Sequence, residues 1–210
     1  MPTPYHQLLP KRIQRLSYYL QHYRAIRPDS FDLDHNDIAD ALDCGLVRTD
    51  CVQHGQRMHH ILLPGRNIRQ ICGTTDIIRP PVKGRRLQMA LLADLALEFQ
   101  NTGWEGQVDR RLRAVTAGYA DHTYLIRPDS TKFENVAQNV VTIQRRTGSR
   151  VVIYVPAWQV EPLLAQFTTQ FHKFCKDKLD AKAAAEAALD DIEILPFDLA
   201  TWPPDVRYQS

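Results

Sequence analysis

Apolar positions change their spacing several times along the chain, and each change marks a new element. Leu9, Ile13, Leu16, Leu20 and Tyr23 recur at the interval that keeps side chains on one face of an α-helix. The spacing predicts an amphipathic helix over about 7–23, with Lys11, Arg12 and Arg15 near its start. A turn signal, ArgProAspSer, follows at 27–30. In HNDIADALDCG, Ile38, Ala41 and Leu42 then share a face, and Gly45 can end the segment in the left-handed conformation, so a short helix of about 35–44 is expected. Two strand-like runs, 46–53 and 56–63, flank His54-Gly55 as a tight turn and read as a β-hairpin.

Residues 76–86, DIIRPPVKGRR, have the composition of a stiff connector and place a domain boundary there. Beyond it Leu87, Leu91, Leu95 and Phe99 predict a buried helix over 87–103. Residues 108–115 suit a strand or a short helix, and 122–128 reads as a strand. A capping box from Thr131 to Glu134 opens a helix that carries Phe133, Val136, Val140 and Ile143 on one face up to Gly148. The β-branched run 150–156 suits a buried strand, and Val160, Leu163 or Leu164, Phe167 and Phe171 mark a helix over 157–174. Strand, helix, strand, helix implies a right-handed parallel crossover. The Ala-rich stretch 181–194 is expected to extend as a helix, and 196–210 to form an irregular strap. IleArgProAspSer occurs at 26–30 and again at 126–130, but nothing on either side matches, so the repeat reads as shared turn-and-cap chemistry.

Composition narrows the class. Hydrophobic residues at 44% and charged residues at 24% are globular values, and the longest apolar stretches, 90–93 and 151–155, fall far short of the roughly 20 residues of a membrane helix. The opening MPTPYHQLLPKR lacks the order of a secretory signal, so a cytoplasmic protein is expected. Cys44, Cys51, Cys72 and Cys175 then read as free thiols or metal ligands rather than a disulfide framework. Net charge is divided unevenly. Residues 1–86 hold 13 Lys plus Arg against 8 Asp (+5), and residues 87–210 hold 13 against 16 acids (−3). Of the 13 cations in the first part 11 are Arg, whose planar fork suits phosphate and guanine edges.

The passage DIADALDCGLVRTD followed by HHILLPGR resembles the helix, Gly-Leu-Val-Arg and basic wing of MarR-like winged-helix proteins, including plasmid replication-relaxation proteins. The resemblance covers residues 8–72, about a third of the chain, and the middle helix of the usual three is short or missing in 27–34. The resemblance implies a winged-helix-like α+β domain over 1–75; with the linker over 76–86, the alternation beyond it gives a small α/β domain over 87–195 followed by the strap over 196–210, and an α/β fold overall. The resemblance also implies a DNA-binding protein of regulation, replication or defence, of plasmid or phage type, using a basic recognition helix and wing. The candidate nucleic-acid-binding residues are Lys11, Arg12, Arg15, Arg48, His54, Arg57, His59, His60, Arg66 and Arg69. The expected partners are nucleic acid, DNA in preference to RNA, and a second copy in a homodimer or a larger complex. The face of Leu163, Phe167 and Phe171 is the candidate dimer patch, the alternative being that these residues fill the monomer core.

Two chemical alternatives are weaker. Cys44, Cys51, His54, His59 or His60, and Cys72 lie within 29 residues, but no CxxC pair is present and strand alternation would send Cys51 and His54 to opposite faces, so no metal is expected. Pro128-Asp129 with Gln144-Arg145-Arg146 resembles the PD-(D/E)xK nuclease pattern with Gln and Arg in place of the acid and lysine, and Asp121 and Glu134 are the spare carboxylates. The helix expected over 131–147 also takes Gln144 off a strand. No phosphate-cradling glycine loop, nucleophile elbow or HExxH is present, so no catalytic residue and no cofactor are assigned. A non-catalytic adaptor subunit that binds nucleic acid is the remaining alternative.

Overall fold

The computed structural model of the chain describes residues 10–31, 33–102, 106–109, 114–117, 122–128, 136, 139–140, 142–144, 148–175 and 189–204. They are of mixed α/β class and belong to two compact units, Met1–Leu97 and Glu98–Ser210.

In the first unit helix α1, Lys11–His22, buries Ile13, Leu16, Ser17, Tyr19 and Leu20, the face that the apolar spacing predicted. It stops at Arg24, whose φ of 64° is left-handed. Ile26 then runs extended and exchanges both backbone hydrogen bonds with Leu62, at 3.0 and 2.8 Å. A 3-10 turn, Pro28–Phe31, leads to α2, His35–Asp43, which a reciprocal cap between Asp34 and Asp37 starts. Strands β1, Val47–His54, and β2, Arg57–Pro64, form the expected antiparallel hairpin.

The hairpin turn is Gly55-Gln56, one residue later than expected, with His54 opposite Arg57. A two-residue turn of this kind needs a left-handed first position, and Gly55, at φ 58°, supplies it. The change moves each cross-strand partner by two residues, so the side chains keep their faces. A further short helix, α3 (Ile68–Cys72), was not legible in the apolar pattern; it buries Ile68 and Ile71 and ends at Gly73.

Helix α4, Arg86–Asn101, matches the segment predicted at 87–103. Every residue from 87 to 97 is buried, so the helix has no solvent face there. The division between the units falls inside it, after Leu97, and not at 76–86. Its early turns are tied to the first unit by polar bonds, Arg86 to Asp50 and Asp94 to Arg27 and Ser30.

In the second unit β3 (Gly106–Asp109), β4 (Ala114–Ala117), β5 (His122–Ile126), β6 (Arg150–Pro156) and β7 (Ile192–Phe197) lie in chain order in one sheet. The first three pair antiparallel, and β5, β6 and β7 pair parallel. The segment 108–115 therefore spans the end of one strand and the start of the next. Parallel β5 and β6 match the expected crossover, and residues 136, 139–140 and 142–144 between them are helical. Val136, Val140 and Ile143 pack with Leu125, Val151, Ile153 and Val155 in the core.

Two expectations are corrected here. Helix α5, Val160–Cys175, puts Leu163 and Phe167 at 1% and 0% exposure in that same core, so they cannot form a dimer patch; the side chain of Phe171 lies outside the described residues. Residues 192–194, read as the end of an Ala-rich helix, belong to β7. Ile192 and Ile194 pair beside Val151 and Ile153, and burial on a parallel sheet outweighs the helical preference of the preceding alanines. Residues 181–188 lie outside the described set. The strap begins only after Phe197, and Trp202 packs edge-on against Tyr154 and Phe197. Among the described residues no helix is long and apolar enough to cross a membrane.

Candidate nucleic-acid interface

Cross-strand register sorts the hairpin candidates onto faces. Arg48, Asp50, Val52 and His54 stand opposite Leu63, Ile61, His59 and Arg57, so Arg48, His54, Arg57 and His59 share one face. Six residues of extended chain make this face about 20 Å long. His60 is on the other face, where its Nδ1 lies 3.5 Å from Cys51 Sγ. Arg48 and Arg57 are exposed, while His54 and His59 are half-buried. Burial first, then the charges of Arg27, His54 and Arg57, push His59 below the ordinary histidine range, against a smaller opposite pull from Asp29. At neutral pH His59 is therefore uncharged. Asp50, the one acid of the face, is held by Arg86, whose hydrogen bond and charge lower its carboxyl pKa. The permanent cations that the face offers a phosphate are Arg48 and Arg57.

The other candidates lie apart from this face. Arg66 and Arg69 are exposed beyond β2, and Arg69 donates to the Thr75 carbonyl at 3.1 Å. Lys11, Arg12 and Arg15 are exposed on α1. Arg12 meets Asp37 at 3.4 Å, and Arg15 lies over the Tyr19 ring, 5.5 Å from its centre. No acid precedes Asp29 in the sequence, so α1 stands in an acid-free stretch.

The expected basic recognition helix is not basic. Residues 34–43 hold Asp34, Asp37, Asp40 and Asp43 and no Lys or Arg. Asp40 and Asp43 are exposed and would face phosphate with like charge. The positive charge of this unit resides on α1, the hairpin and the segment after it.

One polar cluster escaped sequence reasoning. Arg27 Nε donates to Asp94 Oδ2 at 2.6 Å and Ser30 Oγ donates to Asp94 Oδ1, with the Asp94 side chain wholly buried. Burial pushes the Asp94 carboxyl up to about 6, against the pull of Arg27 and Ser30. The usable signal was a single acid inside the otherwise uncharged run from Leu87 to Leu97, since a buried charge needs a partner. The second IleArgProAspSer copy sits elsewhere: Ile126 ends β5 and the Arg127 amide donates to the Tyr154 carbonyl at 2.9 Å.

The metal candidates do not come together among the described residues, and most of the nuclease candidates lie outside them. Cys51 and His54 are on opposite hairpin faces, Cys44 ends α2, and Cys72 sits half-buried near Ser17, where desolvation raises its thiol pKa. Among the described residues no three His, Cys, Asp or Glu side chains are placed to hold a metal ion. Gln144 is helical, not on a strand, while Asp121, Asp129, Glu134, Arg145 and Arg146 lie outside the described residues. Strands β4 and β5, AVTA and HTYLI, bear no carboxylate. A cleft of about 250 Å³ is lined by His122, Arg150, Asp190, Asp191 and Glu193, among others. Its acids all come from one short segment, and Arg150 already meets Asp191 at 3.7 Å, which is not the convergence from separate elements that two-metal hydrolysis requires.

No protein-family model, curated protein or solved structure matches the chain.

Proposed function

We propose that the first unit binds nucleic acid, DNA in preference to RNA, in a regulatory, replication or defence role, through phosphate contacts from α1 and the hairpin. The observation that carries this reading is the segregation of charge: an acid-free helix bearing Lys11, Arg12 and Arg15, and a hairpin face whose only acid is neutralised by Arg86. The winged-helix resemblance gains support from the order helix, extended Ile26, 3-10 turn, helix, hairpin. The backbone pairing of Ile26 with Leu62 adds a third strand position beside the two hairpin strands, and Pro28–Phe31 stands where a short middle helix would.

The acidic α2 changes the expected mode. Phosphate contacts position a protein without reading sequence, and the helix expected to read base edges is repelled by the polymer it would enter. The reading is therefore strong salt dependence with little discrimination between sequences. Binding of labelled duplex DNA, single-stranded DNA and RNA across a salt series tests it. A folded protein that binds none of them at low salt ends the proposal.

A further inference from the structure

Helix α1 carries more on its outer surface than cations. At 3.6 residues per turn Lys11, Arg15, Tyr18 and His22 fall within an arc of about 60° and form a ridge about 16 Å long. The ridge points away from Ile13, Leu16, Ser17 and Leu20, which anchor the helix to its unit, and all four of its residues are at least partly exposed. Tyr18 is 55% exposed although it packs tilted against His22, ring centres 4.3 Å apart, and edge-on to Tyr19 at 5.6 Å. These neighbours hold the ring in place and leave over half of the residue in water.

We infer that this ridge is a binding surface for unpaired nucleic acid, with Lys11 and Arg15 on the phosphates and the Tyr18–His22 pair as the platform on which a base stacks. The inference rests on the nucleic-acid reading of the first unit and names the form of the polymer. In a duplex the flat faces of the bases are already stacked on one another, so a ring on a convex helix can reach a base face only where the strand is open. Charge favours the same occupant. The ridge has two cations at one end, and no acid occurs anywhere before Asp29, so nothing on α1 repels a phosphate chain. An acidic protein segment would use Lys11 and Arg15 equally well but would draw no specific gain from the Tyr18 ring.

The test uses the full chain with a labelled single strand of about 20 nucleotides, long enough to exceed a typical single-strand site, the same strand in a duplex, and its RNA counterpart, each across a salt series. Tyr18→Ala is expected to weaken single-strand binding by roughly 5- to 150-fold, the range for one stacked base, without changing the salt slope. Tyr18→Phe should restore it, because the ring and not the hydroxyl stacks. The double variant Lys11→Ala, Arg15→Ala should lower the single-strand salt slope by about 0.7 for each phosphate that is no longer neutralised. Duplex binding should be unchanged by Tyr18→Ala. If Tyr18→Ala leaves single-strand affinity intact, weakens duplex binding equally, or is not rescued by Tyr18→Phe, the stacking ridge is overturned while salt-dependent duplex binding would still stand. Efficient displacement of the single strand by polyglutamate would overturn it in favour of an acidic protein partner. Absence of binding to all three polymers overturns both readings together.

Discussion

Replacing Asp94 by Ala breaks the cluster that ties α4 to the rest of the first unit. The Asp94 side chain is wholly buried and that of Arg27 is 12% exposed, so the change removes the carboxylate to which the nearly buried Arg27 guanidinium and the Ser30 hydroxyl donate. Removing one partner of a buried pair costs about 3–5 kcal/mol, and the residual exposure of Arg27 argues for the lower end, about 3 kcal/mol. At about 4–8 °C per kcal/mol for a domain of this size, the first unit should melt about 12–24 °C lower. Trp104, Trp158 and Trp202 all belong to the second unit, so tryptophan fluorescence would miss the event. Hydrogen exchange of the β1–β2 peptides in urea reads it directly. The cluster also makes a prediction in pH. With its carboxyl at about 6 when folded and about 3.9 when unfolded, Asp94 binds a proton more tightly in the native state. Its contribution is fully present below about pH 3.9 and is lost as pH rises through about 6, an amplitude on the order of 3 kcal/mol. The advantage of wild type over Asp94→Asn should thus be larger at pH 4 than at pH 7. Because desolvation outweighs the attraction to Arg27, the apolar pair Arg27→Met, Asp94→Leu should recover most of the stability that Asp94→Ala removes. A cost below about 1 kcal/mol for Asp94→Ala, or the opposite pH trend, refutes the reasoning.

Three further predictions concern other parts of the chain. Gly65→Ala would drive a Cβ into the Gly45 carbonyl oxygen and to 2.7 Å from the Leu46 carbonyl carbon, both backbone atoms, so it should destabilise the hairpin base by at least about 1–3 kcal/mol in urea-dependent exchange. Phe167→Ala empties a wholly buried site in the second unit and should cost about 3–5 kcal/mol, followed by tryptophan fluorescence. His59 should titrate by NMR with a midpoint below 6.5, and its contribution to stability, present above that pH, should be lost as the pH falls; a midpoint above 6.5 would show that burial does not dominate there.

Much of the fold is legible in the sequence because burial and local pattern agree. The faces of α1, α4 and α5 and the β-branched run of β6 announce themselves through apolar spacing. Where the two disagree, reading from sequence fails for identifiable reasons. Ile192 and Ile194 follow an Ala-rich stretch whose preference is helical, and only the parallel partner β6, some forty residues earlier in sequence, makes them a strand. Ile26 is a single extended residue between helix and turn, too short for any periodicity. The Pro-rich connector at 76–86 has the composition of a boundary, whereas the bond between Arg27 and Asp94, distant in sequence, keeps the start of α4 with the first unit. Within the hairpin, strand alternation alone already sets His60 against Arg57 and His59, but the neutralisation of Asp50 by Arg86, 36 residues later, is not legible in the sequence. The four Asp of residues 34–43 stand in the sequence itself, and they set α2 apart from the basic recognition helix that the resemblance implies.

The central claim is that α1 and one hairpin face bind a phosphate backbone, and the salt dependence of duplex binding tests it most directly. Fluorescence anisotropy with a labelled duplex between about 50 and 200 mM salt should give a linear fall of log K with log salt. In Arg15→Ala, Arg48→Ala, Arg57→Ala the slope should shrink by about 0.9 for each phosphate that the variant leaves unneutralised, with affinity falling alike on unrelated sequences. A folded triple variant that keeps wild-type affinity and slope, or a wild type that does not bind at the lowest salt, would contradict the account.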